Sequence, residues 1–386
     1  MPRTRLWISV GFSIGTAVAA APALADGAWD GHVFVPNRDS ADVAVIDPAR
    51  DEVVARIEVG AVPHQVAVSD VLGRMVTTNT ADDTISIVDL ASGEARATVR
   101  LGHEPEHMEL GPDGDLLAVG NIGAGSVSLV SLAEEREIAR IDGLHQPHNM
   151  TFGPGGKRLF VANLGAPLVS VIDVVSGRVV DEIAVGETGL AAGTAPDDGS
   201  FQGVISVTPT PDRRLGFAAY GEGDRLAVLD LEAGRMVRTL ELGDEPWRAY
   251  GTADGRLMIV PNNGDRTVSI VDVARLEEVA RLPGADDMTG VNTGWFETTA
   301  VVLSRGESKA LIYDLEALVP IGEIALPGAP ETGVVTPDGS KLYVALGSTG
   351  QVAVIDVGAR KLVKVIDGVG EAPWGAHMVG ALNYCH

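Results

Sequence analysis

Val43-Ala44-Val45-Ile46-Asp47 is the first of eight short apolar runs that recur along the chain and decide its fold. The other seven end at Asp89, Ser131, Asp173, Asp230, Asp272, Asp314 and Asp356. Successive final residues are 42 positions apart, except for one interval of 57 between 173 and 230. A fixed period of this length, with strand-like alternation inside each unit, is typical of β-propeller blades. One such unit cannot bury both faces of its sheet, so the repeats are expected to close into a ring.

The unit that begins near Pro105 predicts the strand order of a blade. Its innermost strand is His107-Met108-Glu109-Leu110, and the second strand is Leu116-Leu117-Ala118-Val119. The third strand covers 127–131 and the fourth 137–141. Asparagine ends the second strand at positions 37, 79, 121, 163 and 262, where a residue that tolerates the left-handed conformation suits a tight turn. These asparagines are interpreted as structural.

The two ends of the chain together complete the ring. Residues 31–63 contain three strands of a blade, and residues 374–386 contain one candidate first strand. The sequence therefore predicts an all-β, eight-bladed propeller with four-stranded blades, whose last blade takes strands from both termini.

Two segments carry a resemblance to a known family. Phe34-Val35-Pro36-Asn37 through Val45-Ile46-Asp47, and Phe160-Val161-Ala162-Asn163 through Val171-Ile172-Asp173, resemble the YVTN-repeat β-propellers of exported bacterial and archaeal proteins. The resemblance implies the fold and export, and it implies no activity. In blade count the chain is also similar to the haem-bearing propeller of the cytochrome nitrite reductases and their haem-maturation relatives.

The first 25 residues have the pattern of a secretory signal peptide. Arg3 and Arg5 precede an apolar stretch, and Ala23-Leu24-Ala25 has the form of a cleavage site. This predicts a periplasmic or secreted protein in which 26–386 form one propeller domain. That segment carries 27 basic and 53 acidic residues, a net charge of −26, which disfavours nucleic acid as a partner. No later segment is long and apolar enough to predict a membrane span.

Most of the histidines fall in one class of loop. The connection from the outer strand of one blade to the inner strand of the next lies at one mouth of a propeller's channel, which makes that mouth the expected binding site. Six of the eight histidines occur in or just after this connection, on four contiguous blades. They are His64, His103, His107, His145, His148 and His377. Because the prolines at 63, 105 and 147 are one period apart, positions 64, 106 and 148 are expected to be equivalent on three adjacent blades.

Several imidazoles that converge on a rigid channel mouth predict a metal site. Neutral imidazole is the commonest protein ligand for copper, zinc and haem iron, and thioether sulfur adds preference for copper(I). Copper is therefore the favoured ion, with another transition metal or a haem as alternatives. No Cys-x-x-Cys-His sequence is present, so covalent c-type haem attachment is excluded. Further candidate ligands or pocket residues are Glu106, Met108, Met150, Met378, Trp247, Arg248, Glu331 and Trp374.

The predicted function is metal or metallocofactor binding with a redox or cofactor-handling role, served by a periplasmic redox or maturation partner. The alternative is a scaffold or protein-interaction propeller in which the histidines only hydrogen-bond the backbone. A haem-binding or haem-maturation protein and a propeller lyase, with a histidine as general base, also stay open. Two features have no assigned role. They are Cys385 near the end of the chain and the glycine-rich insertion at 186–203, which could form a lid over the mouth.

Overall fold

Eight four-stranded antiparallel sheets form the ring. The structure is a computed structural model that describes Trp29, residues 31–186 and residues 203–378. Within these residues the chain has 32 β-strands and three single-turn 3-10 helices, which are Thr80–Asp82, Pro154–Gly156 and Gly221–Gly223. No helix in this part of the chain is long and apolar enough to cross a membrane. The predicted eight-bladed propeller is confirmed.

The strands of each blade run from the channel outward. The first strands, which line the channel, are β4 (Pro63–Ser69), β8 (Pro105–Leu110), β12 (Pro147–Phe152), β16 (Thr208–Pro209), β20 (Tyr250–Gly251), β24 (Met288–Gly294), β28 (Pro330–Val335) and β32 (His377–Met378). The second strands are β1 (Val33–Asn37), β5 (Arg74–Asn79), β9 (Leu116–Asn121), β13 (Arg158–Asn163), β17 (Leu215–Tyr220), β21 (Leu257–Asn262), β25 (Thr299–Ser304) and β29 (Lys341–Leu346).

The outer half of each blade follows the same order. The third strands are β2 (Asp42–Asp47), β6 (Thr84–Asp89), β10 (Ser126–Ser131), β14 (Leu168–Asp173), β18 (Arg225–Asp230), β22 (Thr267–Asp272), β26 (Lys309–Asp314) and β30 (Gln351–Asp356). The fourth strands are β3 (Glu52–Glu58), β7 (Ala95–Arg100), β11 (Arg136–Asp142), β15 (Arg178–Ala184), β19 (Arg235–Glu241), β23 (Glu277–Pro283), β27 (Val319–Ala325) and β31 (Lys361–Ile366).

Burial along the strands explains the sequence pattern. Four consecutive residues of β2, Val43 to Ile46, are buried, whereas exposed and half-buried residues alternate along most of β3. A middle strand has a neighbouring blade on each face, so both sets of side chains are apolar. The outermost strand faces solvent on one side, and its polar residues alternate accordingly. The periodic apolar runs are therefore the strands that build the core between blades.

Pairing between the two chain ends closes the last blade. In the antiparallel register of β1 with β32, Val33 lies opposite Met378 and Phe34 opposite His377. The backbone N–H of Trp374 also donates to the carbonyl of Pro36 at 3.0 Å. The predicted closure by strands from both termini is confirmed.

The strand-ending asparagines are structural, but by another route than the one predicted. The backbone at Asn79 is extended, with φ of −119°, and is not left-handed. The side chain acts instead. Nδ2 of Asn121 donates to the hydroxyls of Ser126 at 3.1 Å and Ser128 at 2.9 Å. Asn121 thus ties the second strand of its blade to the third across the turn between them.

Candidate functional site

Three adjacent inner strands start at the same mouth in the same register. Pro63, Pro105 and Pro147 lie opposite the asparagines that end the second strands of their blades. The next residues, His64, Glu106 and His148, are therefore equivalent, as the 42-residue period predicts. His107 follows Glu106 one position further into the channel.

The residue before each of these prolines makes the turn into the channel wall. Its φ is 54° at Val62, 54° at Glu104 and 51° at Gln146, in the left-handed region that non-glycine residues seldom adopt. Glu245 and Ala372 have the same conformation at equivalent positions on other blades. The turn is therefore a repeated feature of the blades, whereas the side chains that follow it differ from blade to blade.

Three histidines and one glutamate form a compact cluster at this mouth. The ring centroids of His64 and His107 are 4.9 Å apart, and those of His107 and His148 are 3.7 Å apart. One ligand atom each from His64, Glu106 and His107 lie within 4.8 Å of one another. Nε2 of His148 is 3.8 Å from Oε2 of Glu106. We call these four residues the mouth cluster.

Burial dominates the electrostatics of the mouth cluster. The three histidines are at most 6% exposed. Loss of hydration raises the pKa of Glu106 to about 7, although the nearby charge of Arg38 acts in the opposite direction. A carboxylate held in this environment gains strongly from a cation beside it.

The hydrogen bond of His148 fixes which nitrogen is available as a ligand. Its Nδ1 lies 2.9 Å from the carbonyl oxygen of Ile205. A carbonyl only accepts, so Nδ1 carries a proton, and in the neutral ring the lone pair is then on Nε2, on the side of Glu106. Metal-binding histidines commonly donate their second nitrogen to a backbone carbonyl in this way.

Trp374 reaches the cluster from the closing blade. Its indole Nε1 donates to Nε2 of His64 at 3.2 Å, and the guanidinium of Arg38 lies 4.2 Å above its ring. Neutral imidazole has one lone pair, which on His64 accepts this hydrogen bond. A cation on either nitrogen of neutral His64 would therefore displace the indole N–H. Trp374 and a metal ion at this site would therefore compete for the same histidine.

His377 lies deeper in the channel than the mouth cluster. It is four residues past Pro373, whereas His64 directly follows Pro63. Neither ring nitrogen of His377 has a hydrogen-bond partner among the described residues. Burial lowers its pKa to about 4, so the ring is neutral. The structure does not bring this predicted ligand into the mouth cluster.

His103 and His145 precede the prolines and remain in the connecting loops. The His103 side chain is 65% exposed and hydrogen-bonds Asp83 through Nδ1 at 2.9 Å. This bond raises the pKa of the imidazole. His145 is half-buried, and its backbone N–H donates to Asn163. Neither histidine belongs to the group whose ligand atoms converge.

The three candidate methionines pack in hydrophobic clusters. Met108 lies with Val76 and Leu117, and Met150 with Phe152 in the next cluster along the ring. Met378 is buried in the cluster that joins the last two blades. These side chains contribute to the core between blades, and their role as thioether ligands stays a prediction.

The remaining candidates lie on other blades. Trp247 and Glu331 are the residues after Pro246 and Pro330, so they occupy the register position of His64. Glu331 is buried and paired with Arg305 at 3.2 Å. Arg248 is 4% exposed, with its guanidinium 5.5 Å from the centre of the Tyr250 ring.

A cavity of about 290 Å³ in the channel was not predicted from the sequence. Glu109, Arg213 and Arg248 are the ionisable residues that line it. Burial raises the pKa of Glu109, and the charges of Arg213 and Arg248 oppose that rise. A sequence signal was available, since Glu109 is two positions after His107 on one strand and alternation places both on one face.

Comparison with known proteins assigns the chain to a family. The family model described as the YNCE-like beta-propeller matches residues 71–383. The chain belongs to the YNCE-like beta-propeller family. This agrees with the predicted YVTN-type repeats. No curated protein matches the chain.

Solved structures share the fold of this YNCE-like propeller at low identity. "Dihydro-heme d1 dehydrogenase NirN in complex with DHE" is 17% identical, with a TM-score of 0.75 over 94% of this chain and 78% of the other. Hydrazine synthase of Kuenenia stuttgartiensis is 21% identical, with a TM-score of 0.58 over 76% and 95%. A functionally unknown protein of Desulfotomaculum acetoxidans is 12% identical, with a TM-score of 0.58 over 79% and 98%. These likenesses show the fold.

Two predicted features of the YNCE-like propeller lie outside the described residues. Of the insertion at 186–203 the structure describes only Gly186 and Gly203, and Cys385 falls in the undescribed segment 379–386. The lid stays a prediction, and Cys385 stays without an assigned role.

Proposed function

We propose that this propeller binds one divalent transition-metal ion through the mouth cluster, and that copper(II) is the ion it holds most tightly. The observation that carries the proposal is the convergence of buried ligand atoms from His64, Glu106 and His107 within 4.8 Å. His148 is the fourth candidate ligand, because its Nε2 lies 3.8 Å from the same carboxylate.

The chemistry of the donor set supports this assignment. Three imidazoles and one carboxylate suit copper, zinc and related borderline ions, and for a given set of ligands copper(II) binds most strongly. The raised pKa of Glu106 has the same implication, since a buried carboxylate gains a compensating charge from the ion. Without thioethers, selectivity for copper(I) is not part of the proposal.

We propose a redox or cofactor-handling role for this site, in an exported protein. Support for export comes from the signal-peptide pattern of residues 1–25, which lie outside the described residues. A periplasmic redox or maturation partner follows from the same proposal. Cell fractionation of the full chain tests export, which predicts a shortened protein in the periplasm or the medium.

Metal analysis with matched double variants tests the site. The full chain is purified, stripped with a chelator, reloaded with copper(II) or zinc(II) and assayed by elemental analysis. We expect one ion per chain in the wild type and loss of that ion in His64→Ala/His148→Ala. The control is His103→Ala/His145→Ala, which removes two histidines of the same loop class and should retain the ion. Equal metal content in the two double variants would contradict the site, and no uptake by the wild type would favour the scaffold alternative.

A second candidate, binding of a tetrapyrrole, is supported by the likeness to NirN, whose structure is described as a complex with DHE. The buried histidines of the mouth cluster are where such a group would contact the propeller. The visible absorption spectrum of the purified full chain separates the two candidates. A strong Soret-type band that is lost in the His64→Ala/His148→Ala variant would mean that the site holds a tetrapyrrole and not a simple ion.

A further inference from the structure

An aromatic turn is exposed on the face of the ring opposite the mouth cluster. Each first strand begins at the mouth, so the turn that follows it lies at the other face. Between β24 and β25 this turn contains Trp295 and Phe296, which are 45% and 80% exposed, with ring centroids 5.6 Å apart. No other phenylalanine, tryptophan or tyrosine among the described residues is exposed. We call residues 294–298 the aromatic turn.

The backbone of the aromatic turn is strained. Trp295, Phe296 and Glu297 have φ values of 51°, 61° and 58°, in the left-handed region that bulky residues seldom adopt. No other run of three non-glycine residues in the described part of the chain has this conformation. The corresponding turns of the two neighbouring blades place glycine in it, with φ of 72° at both Gly255 and Gly339. The aromatic turn therefore carries a conformational cost, and the exposed ring of Phe296 gains little from packing in return.

Hydrogen bonds to both neighbouring blades hold the aromatic turn in place. Oε2 of Glu297 accepts from the backbone N–H of Ala253 at 2.7 Å and from the hydroxyl of Thr293 at 2.6 Å. On the other side, the backbone N–H of Trp295 donates to the carbonyl of Gly339 at 2.9 Å. A surface that is already ordered loses less conformational entropy when a partner binds it.

An acidic groove lies next to the anchor of the aromatic turn. Ala253 is followed by Asp254, which lines a groove of about 520 Å³ between the blade of β16–β19 and the blade of β20–β23. Asp254 itself is paired with Arg256. The groove has both apolar and charged lining residues, among them Leu215, Val273, Leu276, Asp212, Asp230, Glu232 and Arg214.

The acidic groove keeps an excess of negative charge. Asp212, Asp230 and Glu232 form no ion pair with any described residue, and they face a single guanidinium in the lining, that of Arg214. Three carboxylates and one guanidinium leave a net charge of −2. A hydrogen bond from the hydroxyl of Thr210 lowers the pKa of Asp212, so this carboxylate is ionised at neutral pH.

Charge selects among the surfaces that could cover the aromatic turn. A second copy of this chain would bring a net charge of −24 against the same acidic groove. Nucleic acid and anionic lipid are repelled for the same reason. A positively charged protein surface is attracted, and exposed aromatic side chains are frequent anchors of protein–protein interfaces.

We propose that the aromatic turn and the acidic groove together dock a protein partner whose contact segment carries lysine or arginine beside apolar side chains. Phe296 enters the apolar part of the partner's surface, and the basic side chains lie against Asp212, Asp230 and Glu232. The proposal depends on the exposure and charge of this face and not on a metal at the mouth cluster.

Selection of short random peptides displayed on phage against the immobilised full chain tests this proposal. We expect the recovered peptides to have net positive charge and large apolar residues. The tightest of them, made synthetically, should bind the wild type at least about tenfold more tightly than Phe296→Ser, the equivalent of about 1.4 kcal/mol. Val71→Ser is the control, since Val71 is 72% exposed in the equivalent turn of another blade. Recovery of no peptide or of acidic peptides, or equal affinity for the wild type and Phe296→Ser, would overturn the proposal.

A pair of double variants tests the role of charge with the same synthetic peptide. Asp212→Asn/Glu232→Gln should weaken binding several-fold and make it less sensitive to salt. The control is Glu94→Gln/Glu134→Gln, which neutralises two exposed carboxylates in turns of other blades on the same face and should bind as the wild type does. Equal losses in the two double variants would contradict a role for the acidic groove.

Thermal unfolding separates a docking residue from a structural one. Phe296→Gly should raise the midpoint of unfolding by about 1–2 °C, because glycine adopts the left-handed conformation without strain, while it abolishes peptide binding. A lower midpoint would mean that the ring stabilises the fold, and it would contradict the proposal.

Two other occupants of this face are recognised by separate measurements. Sedimentation that shows a dimer for the wild type and a monomer for Phe296→Ser would identify a second copy of the chain. Binding to phosphatidylglycerol vesicles that is lost in Phe296→Ser would identify a lipid surface. Either result would overturn the proposal of a basic protein partner.

Discussion

Replacing Glu106 with glutamine should stabilise the metal-free protein at alkaline pH. Burial raises the pKa of this carboxyl from 4.5 to about 7. A raised pKa favours the folded state below pH 4.5, and that contribution is lost as pH rises through 7. The pKa difference between the folded and unfolded states lowers the free energy of unfolding by about 3 kcal/mol at pH 8 and by less than about 1 kcal/mol at pH 5. The Glu106 side chain is 22% exposed, so these values are upper bounds.

The assay is urea unfolding of the chelator-treated full chain at pH 5 and pH 8. We expect Glu106→Gln to raise the free energy of unfolding at pH 8 by up to about 3 kcal/mol, with little change at pH 5. Glu331→Gln is the matched control, because Glu331 has the same register position on another blade but is paired with Arg305. This second substitution should destabilise by about 1 kcal/mol. The reasoning would be refuted if Glu106→Gln left the free energy of unfolding unchanged at pH 8, or raised it equally at both pH values.

Three further substitutions have defined outcomes. Trp374→Phe should tighten metal binding about two- to tenfold in a chelator competition, because the hydrogen bond that occupies His64 is removed. Weaker binding would mean that the indole supports the ion. Phe34→Ala should lower the free energy of unfolding by about 3–5 kcal/mol in urea unfolding, since this fully buried ring lies in the closing blade. A loss below about 1 kcal/mol would contradict the importance of ring closure. Asn121→Ala should cost about 1–3 kcal/mol in the same assay, and a neutral result would show that the two serine bonds are dispensable.

The fold could be predicted from the sequence because the middle strands are buried on both faces. This burial produces apolar runs such as Val43 to Ile46, and the constant spacing of those runs gives the blade count. The register of the candidate site followed from the same period. It placed His64, Glu106 and His148 together because Pro63 and its equivalents begin each inner strand.

The rest of the site could not be predicted, because it depends on how deep each residue lies in the channel and where its side chain points. Neither follows from the loop in which the residue occurs. His377 and His64 belong to the same class of loop, yet their distances from the preceding proline differ by three residues, which separates them along the channel. Met108 follows His107 directly, so alternation turns its side chain toward the core. Arg213 lies far from Glu109 in sequence, and only the closed ring brings their side chains together.

The most direct test of the central claim is the anomalous scattering of crystals of the full chain soaked with copper(II). The account predicts one strong peak at the channel mouth, about 2 Å from a ring nitrogen of His64 and of His107 and next to the carboxylate of Glu106. It also predicts that the indole of Trp374 no longer donates to His64. A peak on the exposed His103, or no peak in the mouth cluster, would contradict the account.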